Sequence, residues 1–185
     1  PQIKELSEIY ESIQNDEKSS VSIIIPCYNY ARWVGEAIES ALGQTISCEI
    51  IVINDNSTDN SLEIMKRYPV TVLNNKENLG VANSRNKAIE QASGDYIVCL
   101  DADDTIHPRF VETVLQGFHN KRDAISFTPI RIIEESGKLT TSIMFRNNPS
   151  YENHIIGRNQ VPSCCMFRKS WWHRAGGYEQ RYNGT

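Results

Sequence analysis

No stretch of this sequence approaches the roughly 20 consecutive apolar residues that a membrane-spanning helix needs. The first ten residues, Pro1 to Tyr10, lack a basic stretch leading into an apolar core, so a secreted or spanning protein is not expected. Peripheral association with the inner face of a membrane stays open. Clusters of Lys and Arg are also absent: 19 basic against 23 acidic residues leave a net charge of −4, which argues against a nucleic-acid partner. The five cysteines, Cys27, Cys48, Cys99, Cys164 and Cys165, make an odd set with no CxxC spacing, and adjacent residues on a strand point to opposite faces. That excludes a disulfide framework and fits buried, reduced thiols in a cytoplasmic protein. His107, His119, His154 and His173 lack metal-ligand spacing and read as surface or cap residues. Internal repeats and low-complexity tracts are missing too.

What is present is ordinary globular composition. With 185 residues, 39% of them hydrophobic and 23% charged, the chain can bury a sizeable core, enough for one domain with incomplete trimmings.

The apolar pattern gives an order of elements. Ile3, Leu6, Ile9, Tyr10 and Ile13 make one stripe on an N-terminal helix, followed by a polar linker. From Val21 short apolar runs alternate with helical patterns, the mark of βαβ units and a mostly parallel sheet. Strands are predicted at Val21–Ile25, Glu49–Ile53, Val70–Leu73, Tyr96–Leu100 and Ala124–Phe127, with the all-apolar fourth one central. Helices are predicted at Trp33–Leu42, with Val34, Ile38, Ala41 and Leu42 inward, and after Asn60, where Glu63 completes a capping-box-like start. Two more cover Gly80–Ala92 and Pro108–Phe118. Ile130–Ile133 and Leu139–Phe145 read as a hairpin, and a short apolar run at Cys164–Phe167 precedes a helical turn at Lys169–Ala175. The fold class is thus α/β: a Rossmann-like, mostly parallel sheet flanked by helices, with an additional antiparallel hairpin. The pattern divides the chain into an N-terminal helix and linker over residues 1–19, a parallel-sheet part over 20–128 and a less regular part over 129–185.

In such a sheet ligands bind outside the carboxyl ends of the strands, so the loops after the first four strands share one edge. They are Pro26-Cys27-Tyr28-Asn29, Asn54 to Asp59, Asn74 to Gly80, and Asp101-Ala102-Asp103-Asp104. Three carboxylates at the end of a buried strand repel one another unless a cation compensates them. Mg²⁺ or Mn²⁺, which takes one or two carboxylates plus phosphate oxygens, suits them; one aspartate alone would read as a turn or helix cap. Asp55 could accept hydrogen bonds from a base or ribose, or serve a turn. Arg85, within the third helix, could reach a phosphate or base, or pair with a neighbouring acid. Trp171 and Trp172 could stack on a sugar, although beside an apolar run they read better as core.

Taken together and in order, Ser22-Ile-Ile-Ile-Pro-Cys-Tyr-Asn29, Ile53-Asn-Asp-Asn-Ser-Thr-Asp59, Asn78-Leu-Gly-Val-Ala-Asn-Ser-Arg-Asn86 and Asp101-Ala-Asp-Asp104 resemble the family 2 glycosyltransferases of GT-A fold. The resemblance runs from Val21 to about Thr128 and more weakly to Gly177, and implies a nucleotide-sugar-binding half over residues 20–128 and an incomplete acceptor-side half over 129–185. It implies transfer of a sugar from a nucleotide-diphosphate donor, best a UDP-sugar, to a saccharide or lipid-linked acceptor with inversion, as in polysaccharide biosynthesis. It further implies that Pro26, Tyr28, Asn29, Asp55, Arg85, Asp101, Ala102 and Asp103 line the nucleotide-sugar site. Asp55 would meet the uracil, although Asn54 departs from the frequent Asp-Asp pair. Asp101 and Asp103 match the DxD pair, with Asp103 the direct ligand of Mn²⁺ or Mg²⁺ and Asp101 facing the ribose or diphosphate. Gly176-Gly177-Tyr178 resembles the glycine pair preceding the family's acidic general base, yet Glu179 is the one carboxylate after it, so the base is expected beyond Thr185. Two rivals remain at this level. One is a UDP- and metal-binding fragment without turnover. The other is a haloacid-dehalogenase-like phosphatase, since Asp101-Ala-Asp103-Asp104-Thr105 also fits DxDxT.

Overall fold

Along strand β1 (Val21–Cys27), Val21, Ile23 and Ile25 face one side of the sheet and Ile24 the other, the alternation that a strand buried on both faces requires. The same division runs through β2 (Glu49–Asn54), with Ile50 and Val52 against Ile51 and Ile53, and through β4 (Tyr96–Cys99), with Tyr96 and Val98 against Ile97 and Cys99. The computed structural model describes residues 20–116, 118, 125–127, 130–133, 139–143 and 165–175. The N-terminal helix read from the apolar stripe at Ile3 to Ile13 lies outside them.

The main sheet has the order β3-β2-β1-β4-β8-β5, where β3 is Thr71–Asn74, β5 Ile125–Phe127 and β8 Cys165–Arg168. β1 to β4 run parallel. β8 enters antiparallel between β4 and β5, pairing Cys99 with Cys165 and Ile125 with Phe167. β6 (Ile130–Ile133) and β7 (Leu139–Ile143) pair antiparallel in a small second sheet, as the hairpin pattern predicts.

Two helical layers cover the main sheet. On one side α1 (Val34–Leu42), α2 (Ser61–Met65) and α4 (Phe110–Gln116) supply Val34, Ala37, Ile38, Met65, Phe110 and Val111 to the core. On the other, α3 (Val81–Gln91) and α5 (Lys169–Ala175) bring Ala88, Ile89 and Trp172. Each fully buried Ile or Val contributes about 1.5–3 kcal/mol by leaving water, and Ile23, Ile24, Ile25, Val52 and Ile53 are all at 0% exposure. Trp172, 6% exposed, is therefore core rather than a sugar platform. Cys27, Cys99 and Cys165 are buried thiols outside any disulfide, and so is the half-buried Cys48, whose thiol burial pushes up to about 11.

Two local expectations change. Leu42 is 41% exposed, because Ala37 takes the inward place on α1 and Leu42 falls at the helix end. Asn60 makes no side-chain cap on α2; Asp59 does, with Oδ1 accepting from the Ser61 N–H at 3.0 Å and from the Ser61 hydroxyl. One residue of offset decides this, since Asp59 also takes the Ala31 N–H at 3.0 Å and so ties two loops together.

Candidate functional site

The chain order turns at β1: β2 and β3 build outward on one side and β4 on the other. A ligand crevice is expected at such a switch point. The structure shows where the pairing at that point ends. β1 pairs with β4 only as far as Ile24 and Cys99, and the last bond between them runs from Leu100 N–H to Ile24 O at 2.9 Å. Pro26, buried in β1 opposite Ile53, has no N–H to offer a neighbour on the β4 side. Past Ile24 the pairing ends, because β4 stops at Cys99, and the loop after β1 comes near enough to the one after β4 for Asp103 to act on Tyr30.

Hydrogen bonds between loops hold the first wall. Asn29 adopts φ 59°, the left-handed region that Asn tolerates best among residues with a side chain. Its N–H reaches Ser57 Oγ at 3.0 Å, and its Oδ1 accepts from Thr58 N–H at 2.7 Å. Tyr30 N–H donates to Ser61 Oγ at 3.1 Å. Asn29 is thus occupied in joining the loops after β1 and β2, and the surface it supports carries Tyr28 and Tyr30, 44% and 39% exposed. Tyr30 was not singled out by its sequence position. The nearby Asp103 carboxylate, then burial, then Asp101 hold its phenol above the usual tyrosine range, so it lies in the field of the aspartates that follow β4.

Asp55 is 3% exposed, and its carboxylate organises the loop after β3. Oδ1 accepts from Asn75 Nδ2 and Leu79 N–H, both at 2.8 Å, and Oδ2 from Gly80 N–H at 2.9 Å. Gly80 has φ +80°, open to glycine at little cost, which turns its N–H inward as α3 begins. Asn75, itself 1% exposed, passes the network to Ser84 Oγ at 2.9 Å and accepts from Lys87 Nζ at 2.7 Å. Any base contact by Asp55 must share a carboxylate already taking these bonds. Asn75 was legible only as one of several polar residues closing a strand.

At the end of β4, Ala102 is buried, Asp103 exposed and Asp104 partly exposed, with Asp104 N–H closing a turn onto Asp101 O at 3.0 Å. Arg85, about one turn into α3, forms an ion pair with Asp101; their side chains are 11% and 37% exposed. The compensating charge expected for three clustered acids is therefore supplied in part from within the chain. Among the described residues no group of three or more His, Cys, Asp or Glu gathers to hold a metal. The donor set fits a divalent cation that shares Asp103 and Asp101 with phosphate oxygens, and does not fit an all-protein cage. All eight residues expected to line the site lie at this one edge. His107 is a turn residue, its Nδ1 accepting from Arg109 N–H at 3.2 Å. Gly176, Gly177 and Glu179 fall outside the described residues.

Residues 22–175 match the model of glycosyl transferase family 2. The chain belongs to that family. It is 33% identical over 168 residues to chondroitin synthase of Pasteurella multocida, covering 87% of this chain and 17% of that enzyme. It is 38% identical over 157 residues to the minor teichoic acid biosynthesis protein GgaB of Bacillus subtilis, again covering 17% of it. The fold is shared with S. aureus TarS in complex with UDP-GlcNAc, at a TM-score of 0.69 and 22% identity over 86% of this chain and 48% of that one. It is also shared with a mannosyltransferase of Pyrobaculum calidifontis in complex with GDP-Man and Mn²⁺, at a TM-score of 0.67 and 18% identity over 88% of this chain and 48% of that one. The GT-A fold expected for this family 2 chain is the one found. Family membership removes the phosphatase reading, in which Asp101 would have been a nucleophile. Among the described residues, no helix is long and apolar enough to cross a membrane.

Proposed function

We propose that this chain is the donor-binding portion of a metal-dependent, inverting glycosyltransferase that takes a nucleotide-diphosphate sugar, with a UDP-sugar the best fit, and passes the sugar to a saccharide or lipid-linked acceptor. The observation that supports this reading is that β1–β4 pairing ends at Ile24 and Cys99, so that the loop with exposed Tyr28 and Tyr30 and the loop with Asp101 and Asp103 follow from the same sheet edge, close enough for Asp103 to raise the Tyr30 phenol. An aromatic wall suits a nucleoside and an acidic wall suits a metal-bound diphosphate. Residues 20–128 hold this half.

Asp103, exposed at the crevice, would hold Mn²⁺ or Mg²⁺ with Asp101. When bound, such a cation neutralises charge that develops on the departing diphosphate. Tyr28 and Pro26 would bound the nucleoside pocket, with Asn29 and Asp55 keeping its loops in shape. No described residue is assigned the general-base role. That a UDP-GlcNAc complex and a GDP-Man–Mn²⁺ complex exist for proteins of the same fold supports the donor class and the metal.

Calorimetry with UDP in the presence of Mn²⁺ tests the reading. Saturable binding is expected, with Asp103→Ala weakening it about tenfold or more, a loss of about 1.4 kcal/mol for each factor of ten. Absence of binding, or equal affinity in Asp103→Ala, overturns it. Hydrolysis of a UDP-sugar then separates an enzyme from a binder without turnover.

A further inference from the structure

Asn75 sits between two groups whose hydrogen-bonding sense cannot be reversed: the Lys87 ammonium only donates and the Asp55 carboxylate only accepts. Lys87 Nζ reaches Asn75 Oδ1 at 2.7 Å, and Asn75 Nδ2 gives its two hydrogens to Asp55 Oδ1 at 2.8 Å and Ser84 Oγ at 2.9 Å. Ser84 and Lys87 stand three residues apart on α3 and so share one face, which grips the amide at both its nitrogen and its oxygen. The main chain is fixed as well, with Asn75 N–H bonded to Asn54 O at 2.9 Å. Asp55 is thereby loaded unevenly. Oδ1 takes Asn75 and Leu79 N–H, whereas Oδ2 takes Gly80 N–H. A carboxylate has about four lone-pair sites, so Oδ2 keeps one, and whatever meets it there must bring a donor. Uracil does so at its ring N3–H. Cytosine, of the same ring size, has a bare acceptor nitrogen in that place.

We propose that Lys87 is a specificity-determining positioning residue: by fixing the Asn75 amide it keeps Asp55 Oδ1 occupied and leaves Oδ2 to accept from the base, so that the site takes uracil and turns cytosine away. This rests on the donor-site reading above, with the base at Asp55, and deepens it by a residue that acts through Asn75 rather than on the ligand. Lys87 is exposed, and its reach to a buried amide is what brings a surface charge to bear on the base pocket. Without it the amide loses the bond that holds its oxygen, and Asp55 loses the firm partner that decides which of its two oxygens stays open.

The test is calorimetry of UDP and of CDP, each with Mn²⁺, on the 185-residue chain. The ratio of the two affinities is the readout, since a merely structural loss weakens both nucleotides alike. Wild type should favour UDP about tenfold or more. Lys87→Met removes the ammonium from an exposed side chain and so should spare the fold; it should weaken UDP about fivefold and leave CDP little changed. Lys87→Arg keeps a charged donor and should recover most of the preference. Asp55→Asn reverses the sense of the contact. While Lys87 holds Asn75, the new amide must set its oxygen toward Asn75 Nδ2 and Leu79 N–H and its NH₂ where Oδ2 stood. That presents a donor to the base, and CDP should then bind at least as well as UDP. Adding Lys87→Met frees Asn75 to turn, so the double variant should lose much of this reversal. Equal weakening of both nucleotides in Lys87→Met, or an unchanged ratio, overturns the positioning role while leaving the donor site standing. A wild-type preference for UDP that persists in Asp55→Asn does the same. Failure of wild type to bind UDP overturns both.

Discussion

Replacing Asp55 by alanine removes one acceptor that three donors share. Asn75 Nδ2, Leu79 N–H and Gly80 N–H all converge on it at 2.8–2.9 Å. Hydrogen bonds to a charged acceptor contribute about 1.5–3 kcal/mol each. After truncation water can reach Gly80, which is exposed, and to a lesser degree Leu79, whereas Asn75 at 1% exposure cannot be resolvated without opening the loop. A net loss of about 3 kcal/mol follows, a large part of the roughly 5–15 kcal/mol that stabilises a domain. In urea this should lower the unfolding midpoint by about 1–2 M with little change in slope. Hydrogen exchange gives the local version: the amides of Leu79 and Gly80 should lose protection first, ahead of β1 and β2. Asp55→Asn keeps one carbonyl oxygen but turns an N–H toward another donor, so it should recover only part of the loss. An unfolding free energy for Asp55→Ala within about 0.5 kcal/mol of wild type would refute the role of this carboxylate as the tie of the loop after β3.

Two further outcomes follow from the same packing. Asp59 is held below its ordinary 3.8: burial opposes this, but hydrogen bonds from Ser61 and Ala31 outweigh it. A carboxyl with a depressed folded value stabilises at pH above 3.8 and loses that contribution as pH falls through the lower folded value. Urea unfolding of wild type between about pH 5 and 3 should therefore fall more steeply than that of Asp59→Asn. At Gly94 an added Cβ would lie 2.6 Å from Ser22 Oγ, 2.7 Å from Ser22 N and 2.9 Å from the Val21 carbonyl carbon. Two of these are backbone of β1 and cannot swing aside, so Gly94→Ala should cost about 3 kcal/mol and lower Tm by roughly 6–12 °C in calorimetry. An unchanged Tm would show that the close approach is relaxed at no cost.

The sequence by itself determined the parts that rest on local rules. Strands β1, β2 and β4 follow from runs such as Ile23-Ile24-Ile25 and Ile50 to Ile53, since two-sided burial demands continuous apolar residues. The polar ends of those runs mark the site edge, because the loops after parallel strands must come out on one side. Tertiary structure decided what depends on partners distant in the chain. Cys165–Arg168 is a short apolar run that no local signal orients; only pairing with Tyr96–Cys99 and Ile125–Phe127 makes it an antiparallel strand between them. Asp55 and Asn29, legible as polar loop residues, become loop ties because β3 and β2 bring Leu79, Gly80 and Thr58 to them. Arg85 had phosphate, base and acid open to it. The packing of α3 over β1 and β2 brings it within reach of Asp101 at the end of β4, and a guanidinium that is almost wholly buried requires an anion nearby.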